Sequence, residues 1–114
     1  MISKNMKTYN PDKWVVIKLT NQANAPHYRV FACWYGGFTG SDSWQMNSGV
    51  TQVKLVNDTY EFSGSSGSLY RCRKNIYGTS GYGQGVLSNL INTAKEVTIE
   101  VMPKDTDFIK LEIA

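Results

Sequence analysis

The sequence predicts an α+β domain: a mainly antiparallel, strongly curved β-sheet of about six to seven strands, with one short helix near residues 85-95. Three observations lead there. Short runs rich in Val, Ile, Tyr, Phe and Trp alternate in polarity and are separated by Gly, Ser, Asn and Pro clusters. Only one stretch shows helical periodicity. The order is strands, then helix, then strands, which argues against a parallel βαβ layout.

Residues 1-12 are polar and end in the turn signal Asn10-Pro11-Asp12, so a mobile N-terminal segment is expected ahead of a single domain, 1-114. Trp14 to Leu19 is the first strand, with Val15, Ile17 and Leu19 on one face and Trp14, Val16 and Lys18 on the other. After a six-residue connection, His27 to Tyr35 is the second. Both of its faces are largely apolar, which marks a central strand, and the two runs form an antiparallel hairpin. Gly36 to Ser43 is a loop.

Trp44 to Asn47 and Val50 to Val56 are the next strands. Thr59 to Phe62 and Leu69 to Arg73 form a second hairpin around the Ser63-Ser68 turn. Alternation puts Tyr60, Phe62, Tyr70 and Cys72 on one side and Arg71 and Arg73 on the other. Asn75 to Gln84 is a Gly/Tyr loop. From about Gly85, the residues Val86, Leu87, Leu90, Ile91 and Ala94 make one apolar stripe. Val97 to Met102 and Phe108 to Ile113 close the chain as two strands, the first burying Val97, Ile99 and Val101, the second Ile109, Leu111 and Ile113. Trp14, Val30, Trp34, Leu90 and Ile99 are the expected core.

At 114 residues, 41% hydrophobic and 18% charged, the chain has enough apolar surface for one core. No stretch approaches the roughly 20 apolar residues of a membrane helix. The N-terminal residues lack the apolar run of a signal peptide, so a cytoplasmic location and no membrane partner are expected. Cys33 and Cys72 are then expected as reduced thiols, with a Cys33–Cys72 bridge as the competing reading.

Net charge is +3, distributed unevenly: +6 over residues 1–95 and −3 over residues 96–114. That asymmetry permits a polyanionic partner without demanding one.

Candidate chemistry is sparse. One His and two separated Cys do not make a zinc centre, and no metal or cofactor is expected. An all-oxygen site from Asp58 and Glu61, or from Asp105 and Asp107, competes with the plainer reading of solvated turn carboxylates. His27 would have to serve any nucleophilic triad as its base, and a strand-end His is more often a surface group. No catalytic residue is therefore assigned. The run Gly81-Tyr82-Gly83-Gln84-Gly85 before the helix could cradle phosphate with backbone N–H groups, or be a flexible loop anchored by Tyr77 and Tyr82. The one constellation worth following is basic and aromatic: Arg71, Arg73, Lys74 and Tyr77, extended by Gly81, Tyr82 and Gly83. Arg grips phosphate bidentately, and aromatic rings stack on bases. Against it stands the use of exposed Arg on a strand for solubility.

Trp44-Gln45-Met46-Asn47-Ser48-Gly49, the stretch from Tyr60 to Lys74, and Tyr77-Gly78 together resemble small phage-encoded accessory proteins of unknown function. The likeness covers roughly residues 34–78. It implies the host cytoplasm as the setting and a binding rather than a catalytic role. The expected function is thus a non-enzymatic binding protein engaging a host macromolecule or an anionic, nucleotide-like ligand. The alternative is a structural or assembly protein that forms a homo-oligomer through exposed aromatics.

Overall fold

The computed structural model describes residues 7–23, 25–37 and 40–113. The strands are β1 (Thr8–Tyr9), β2 (Lys13–Thr20), β3 (His27–Trp34), β4 (Ser43–Met46), β5 (Val50–Val56), β6 (Thr59–Gly64), β7 (Leu69–Arg73) and β8 (Thr98–Val101), with one helix, α1 (Gly81–Thr93). Short 3-10 turns occupy Lys74–Ile76 and Phe108–Lys110. The α+β class holds. The strands divide into two four-stranded sheets, ordered β1-β7-β6-β5 and β4-β3-β2-β8. All pairings between these strands are antiparallel except β1 with β7. No helix among the described residues is long and apolar enough to cross a membrane.

The architecture is three layers, and strand alternation explains it. On β2 and β3, Trp14, Val16, Tyr28, Val30 and Ala32 face the other sheet, where they meet Tyr60, Phe62, Tyr70 and Cys72. The opposite face of the same two strands carries Val15, Ile17, Phe31 and Cys33, which pack on Leu87 of α1. β2 and β3 are apolar on both faces because each face has its own partner layer. Trp14 is the hub of the first core, in ring contact with Tyr60, Phe62, Tyr77 and Phe108. Its indole N–H donates to the Arg73 carbonyl at 2.7 Å, which satisfies the polar end of a buried ring.

Four expectations change. Residues 7–12 are docked: β1 pairs with β7, the Lys7 carbonyl accepts from Leu69 N–H, and Asp12 N–H donates to the Cys33 carbonyl. The part of the 1-12 expectation that falls on residues 1–6 lies outside the described residues.

The helix begins four residues earlier than periodicity suggests. Ser80 caps it, its Oγ accepting from Gly83 N–H at 3.0 Å, so the glycine run forms the first turn rather than a loop. Glycine's poor helix propensity is overridden by the cap and by packing.

Residues 108–113 are not a strand. The Asp107 carboxylate accepts from Ile109 N–H and sets a 3-10 turn, and Phe108 turns inward to plug the first core while Ile109 stays exposed. Leu111 and Ile113 still pack against that core.

Finally, Trp14 and Val30 are buried, but Trp34, Leu90 and Ile99 are only half-buried and Val101 is exposed. Leu90 and Ile99 cover the rim of the second core, and β8 lies at the sheet edge.

Candidate functional site

Arg71 and Arg73 project from the outer face of β7, as alternation requires when Tyr70 and Cys72 point inward. Arg71 is committed in part to Glu61, its cross-strand neighbour, at 3.2 Å. Arg73 borders a shallow groove with Asn10, Pro11 and Asp12. Lys74 begins the following 3-10 turn, with its ammonium 5.8 Å from the Tyr60 ring centre.

Lys74 and Tyr77 do come together, in a recess of about 350 Å³ floored by Trp14, Tyr60 and Phe108. Lys104, Asp105 and Asp107 complete its rim, so its charge is balanced. The Tyr77 hydroxyl is occupied by the fold. It accepts from Val16 N–H and donates to the Met102 carbonyl, and burial pushes its pKa up to about 12. Tyr77 thus bridges β2 to the segment after β8, which makes it a structural group rather than a stacking platform.

Gly81, Tyr82 and Gly83 belong to α1, on the far side of the β4-β3-β2-β8 sheet. Tyr82 is exposed and Gly83 is buried. Arg71 and Arg73 face outward from the other sheet. Both sheets therefore stand between the two arginines and the start of the helix, and the expected continuous basic-aromatic surface is divided. His27 is exposed at the start of β3. Among the described residues, no three of His, Cys, Asp and Glu lie close enough to hold a metal.

A different cleft, of about 430 Å³, opens where β1, the end of β4 and the β6–β7 turn meet. Its cations are Lys7 and Arg29, its hydroxyls those of Ser48, Ser66 and Ser68, its amides those of Gln45 and Asn47, and its aromatic wall Tyr9 and Tyr70. No carboxylate lines it among the described residues. Tyr9 and Tyr70 lie 4.9 Å apart between ring centres. Gln45 donates to the Tyr70 hydroxyl at 2.7 Å, and burial raises the Tyr70 pKa while that hydrogen bond lowers it. The Arg29 Nε is buried without a hydrogen-bond partner among the described residues.

Sequence reasoning passed over this cleft. Arg29 stands in a strand that is largely apolar on both faces, a charged residue that needs a reason to be half-buried. That was one signal. The other was the serine density of Ser63-Gly64-Ser65-Ser66-Gly67-Ser68, which reads equally well as a plain hairpin turn.

Compared with protein-family models, curated proteins and solved structures, the chain gives no match.

Proposed function

We propose that this protein is a non-enzymatic binding protein that takes an anionic, nucleotide-like ligand in the cleft between Lys7, Arg29 and the serine loop. The lining of that cleft carries the reading: two cations, several neutral donors, an aromatic wall and no described carboxylate. Its volume of about 430 Å³ suits a small ligand. Cations and hydroxyls would hold a phosphate, and Tyr9 offers a ring for stacking. In the phage setting that the sequence resemblance implies, the ligand is a signalling molecule of the infected host.

Calorimetric titration with nucleotides at low and high salt tests this. Arg29→Gln should weaken binding and flatten its salt dependence. Arg71→Glu with Arg73→Glu serves as the contrast, because those side chains point away from the neighbouring sheet. Nucleotide binding that survives Arg29→Gln and vanishes in the double variant would move the site to the outer face of β7.

One observation favours the homo-oligomer reading. β5 is an edge strand, and Leu55 and Val56 on it are 42% and 45% exposed. Apolar side chains on an open edge invite pairing with a second copy. Light scattering after size exclusion would show a dimer that Leu55→Lys dissolves.

A further inference from the structure

Among the described residues, the edge strands are β1 and β5 of one sheet and β4 and β8 of the other. β1 and β4 are neutral, β5 carries Lys54 and β8 carries Glu100. Both charged side chains are exposed, and neither is in an ion pair among the described residues. Each of these two edges also exposes apolar side chains, Leu55 and Val56 on β5 and Val101 on β8.

The backbone groups left open at each edge follow from the pairings inside. Val56 and Thr59 flank the two-residue turn Asn57-Asp58, with Asn57 at φ 56°, so they form a hydrogen-bonded pair. Bonded pairs alternate with non-bonded ones along an antiparallel ladder. Lys54 therefore also bonds inward, and Val53 and Leu55 turn their N–H and C=O groups outward. On β8, Met102 N–H donates to the Val16 carbonyl. That places Glu100 on the bonded side and turns the groups of Ile99 and Val101 outward. Each edge thus offers two open residues, with its one charge between them.

We infer that β5 of one copy pairs antiparallel with β8 of a second copy, so that the protein assembles head to tail. This pairing rests on the second-copy reading of β5 above and names the surface that β5 meets. One register matches all four open residues: Val53 opposite Val101 of the second copy and Leu55 opposite its Ile99. Lys54 then stands directly opposite Glu100 of the second copy. Within each copy, Lys18 is already opposite Glu100, and Lys54, Glu61 and Arg71 already form one cross-strand row. The new pair joins them into a row of alternating sign, Lys18, Glu100, Lys54, Glu61 and Arg71, across one eight-stranded sheet. Antiparallel β5 against β5 would give Lys54 only a Lys, a Val or a Gln as its opposite. β8 against β8 would give Glu100 a Glu, a Thr or a Met. An edge Lys guards a strand against its own copy, and here it selects the charged edge of opposite sign. The chain's charge is divided the same way, net positive over residues 1–95 and net negative over residues 96–114, where β8 lies.

Light scattering after size exclusion, at low salt over a range of concentrations, tests this on the wild type, Lys54→Glu and Glu100→Lys. A head-to-tail contact does not close at two copies, so the wild-type mass should rise past a dimer as concentration rises. Each substitution sets like charges opposite one another and should weaken assembly about tenfold or more. An equimolar mixture of the two variants should recover it, because every contact between unlike variants again pairs Lys with Glu. Both side chains are exposed, so melting curves should match the wild type and keep folding out of the comparison. Loss in the single variants without recovery in the mixture overturns the inference. So does a closed dimer that Leu55→Lys dissolves and the charge changes leave intact, and the second-copy reading of β5 then stands. A monomer at every concentration removes both.

Discussion

Gly83 of α1 lies directly against the Cys33 sulfur of β3: a methyl group built on Gly83 would overlap it. The helix reaches the sheet this closely only because a glycine stands there. Gly85, two residues on, meets nothing within 4 Å of its own added Cβ. The same substitution should therefore act with opposite sign at the two positions. Gly83→Ala is expected to cost about 1–3 kcal/mol from overpacking. Gly85→Ala should stabilise by about 0.5–1 kcal/mol, the usual gain from replacing a helical glycine. Chemical denaturation reads both. In a Cys33→Ala background the cost of Gly83→Ala should shrink, since the two side chains share one space.

Leu87 and Leu90 are one turn apart on α1, but only Leu87 is fully inside the second core. Leu87→Ala should cost about 2–5 kcal/mol, and Leu90→Ala less than about 2 kcal/mol, because less area leaves water at that position. Equal losses in urea titrations would mean that the helix is rotated from the orientation described.

Tyr77→Phe removes the bridge between Val16 and Met102 while keeping the ring. A loss of about 1–3 kcal/mol is expected, because a partly buried N–H and a partly buried carbonyl both lose this partner. The pH dependence has a definite sign. The folded state holds the phenol pKa above its ordinary value of 10.0, at about 12, so the neutral form is the one the fold favours. Its contribution is whole below pH 10 and is lost as pH rises toward 12. Burial also raises Tyr70 and Cys72, so the alkaline loss in Tyr77→Phe should be smaller than in the wild type rather than absent. Melting temperatures between pH 9 and 12 would show this.

Cys33 and Cys72 are both buried free thiols in different cores, one facing α1 and the other between the sheets. Burial raises the Cys72 pKa well above its ordinary value, which suppresses the reactive thiolate. Mass spectrometry without reductant should find two thiols, and a thiol reagent should label them only at the rate of unfolding. Rapid labelling of Cys72 in the native protein would contradict the packing between the sheets.

Period-two alternation from Trp14 to Leu19 and from Tyr28 to Trp34 was enough to mark two strands with apolar residues on both faces. The turn residues between Phe62 and Leu69 were enough to mark a hairpin with Tyr60, Phe62, Tyr70 and Cys72 on one side. These patterns are legible because a strand's side chains alternate whatever it later packs against. What each face meets is not local. The glycine run 81–85 reads as a loop until Cys33 and the Ser80 cap give it a reason to be helical. Residues 108–113 read as a strand until Phe108 finds the aromatic core. The cleft depends most on tertiary structure. Asn47 reaches Val30, 17 residues away, while Lys7, Arg29 and Ser68 arrive from separate parts of the chain. Sequence determined which segments extend and which residues carry charge. Only the stacking of two sheets decided that Arg71 and Gly83 face opposite sides and that Arg29 and Asn47 share one cleft, because burying apolar area fixes which layers meet and polar groups must satisfy themselves within that arrangement.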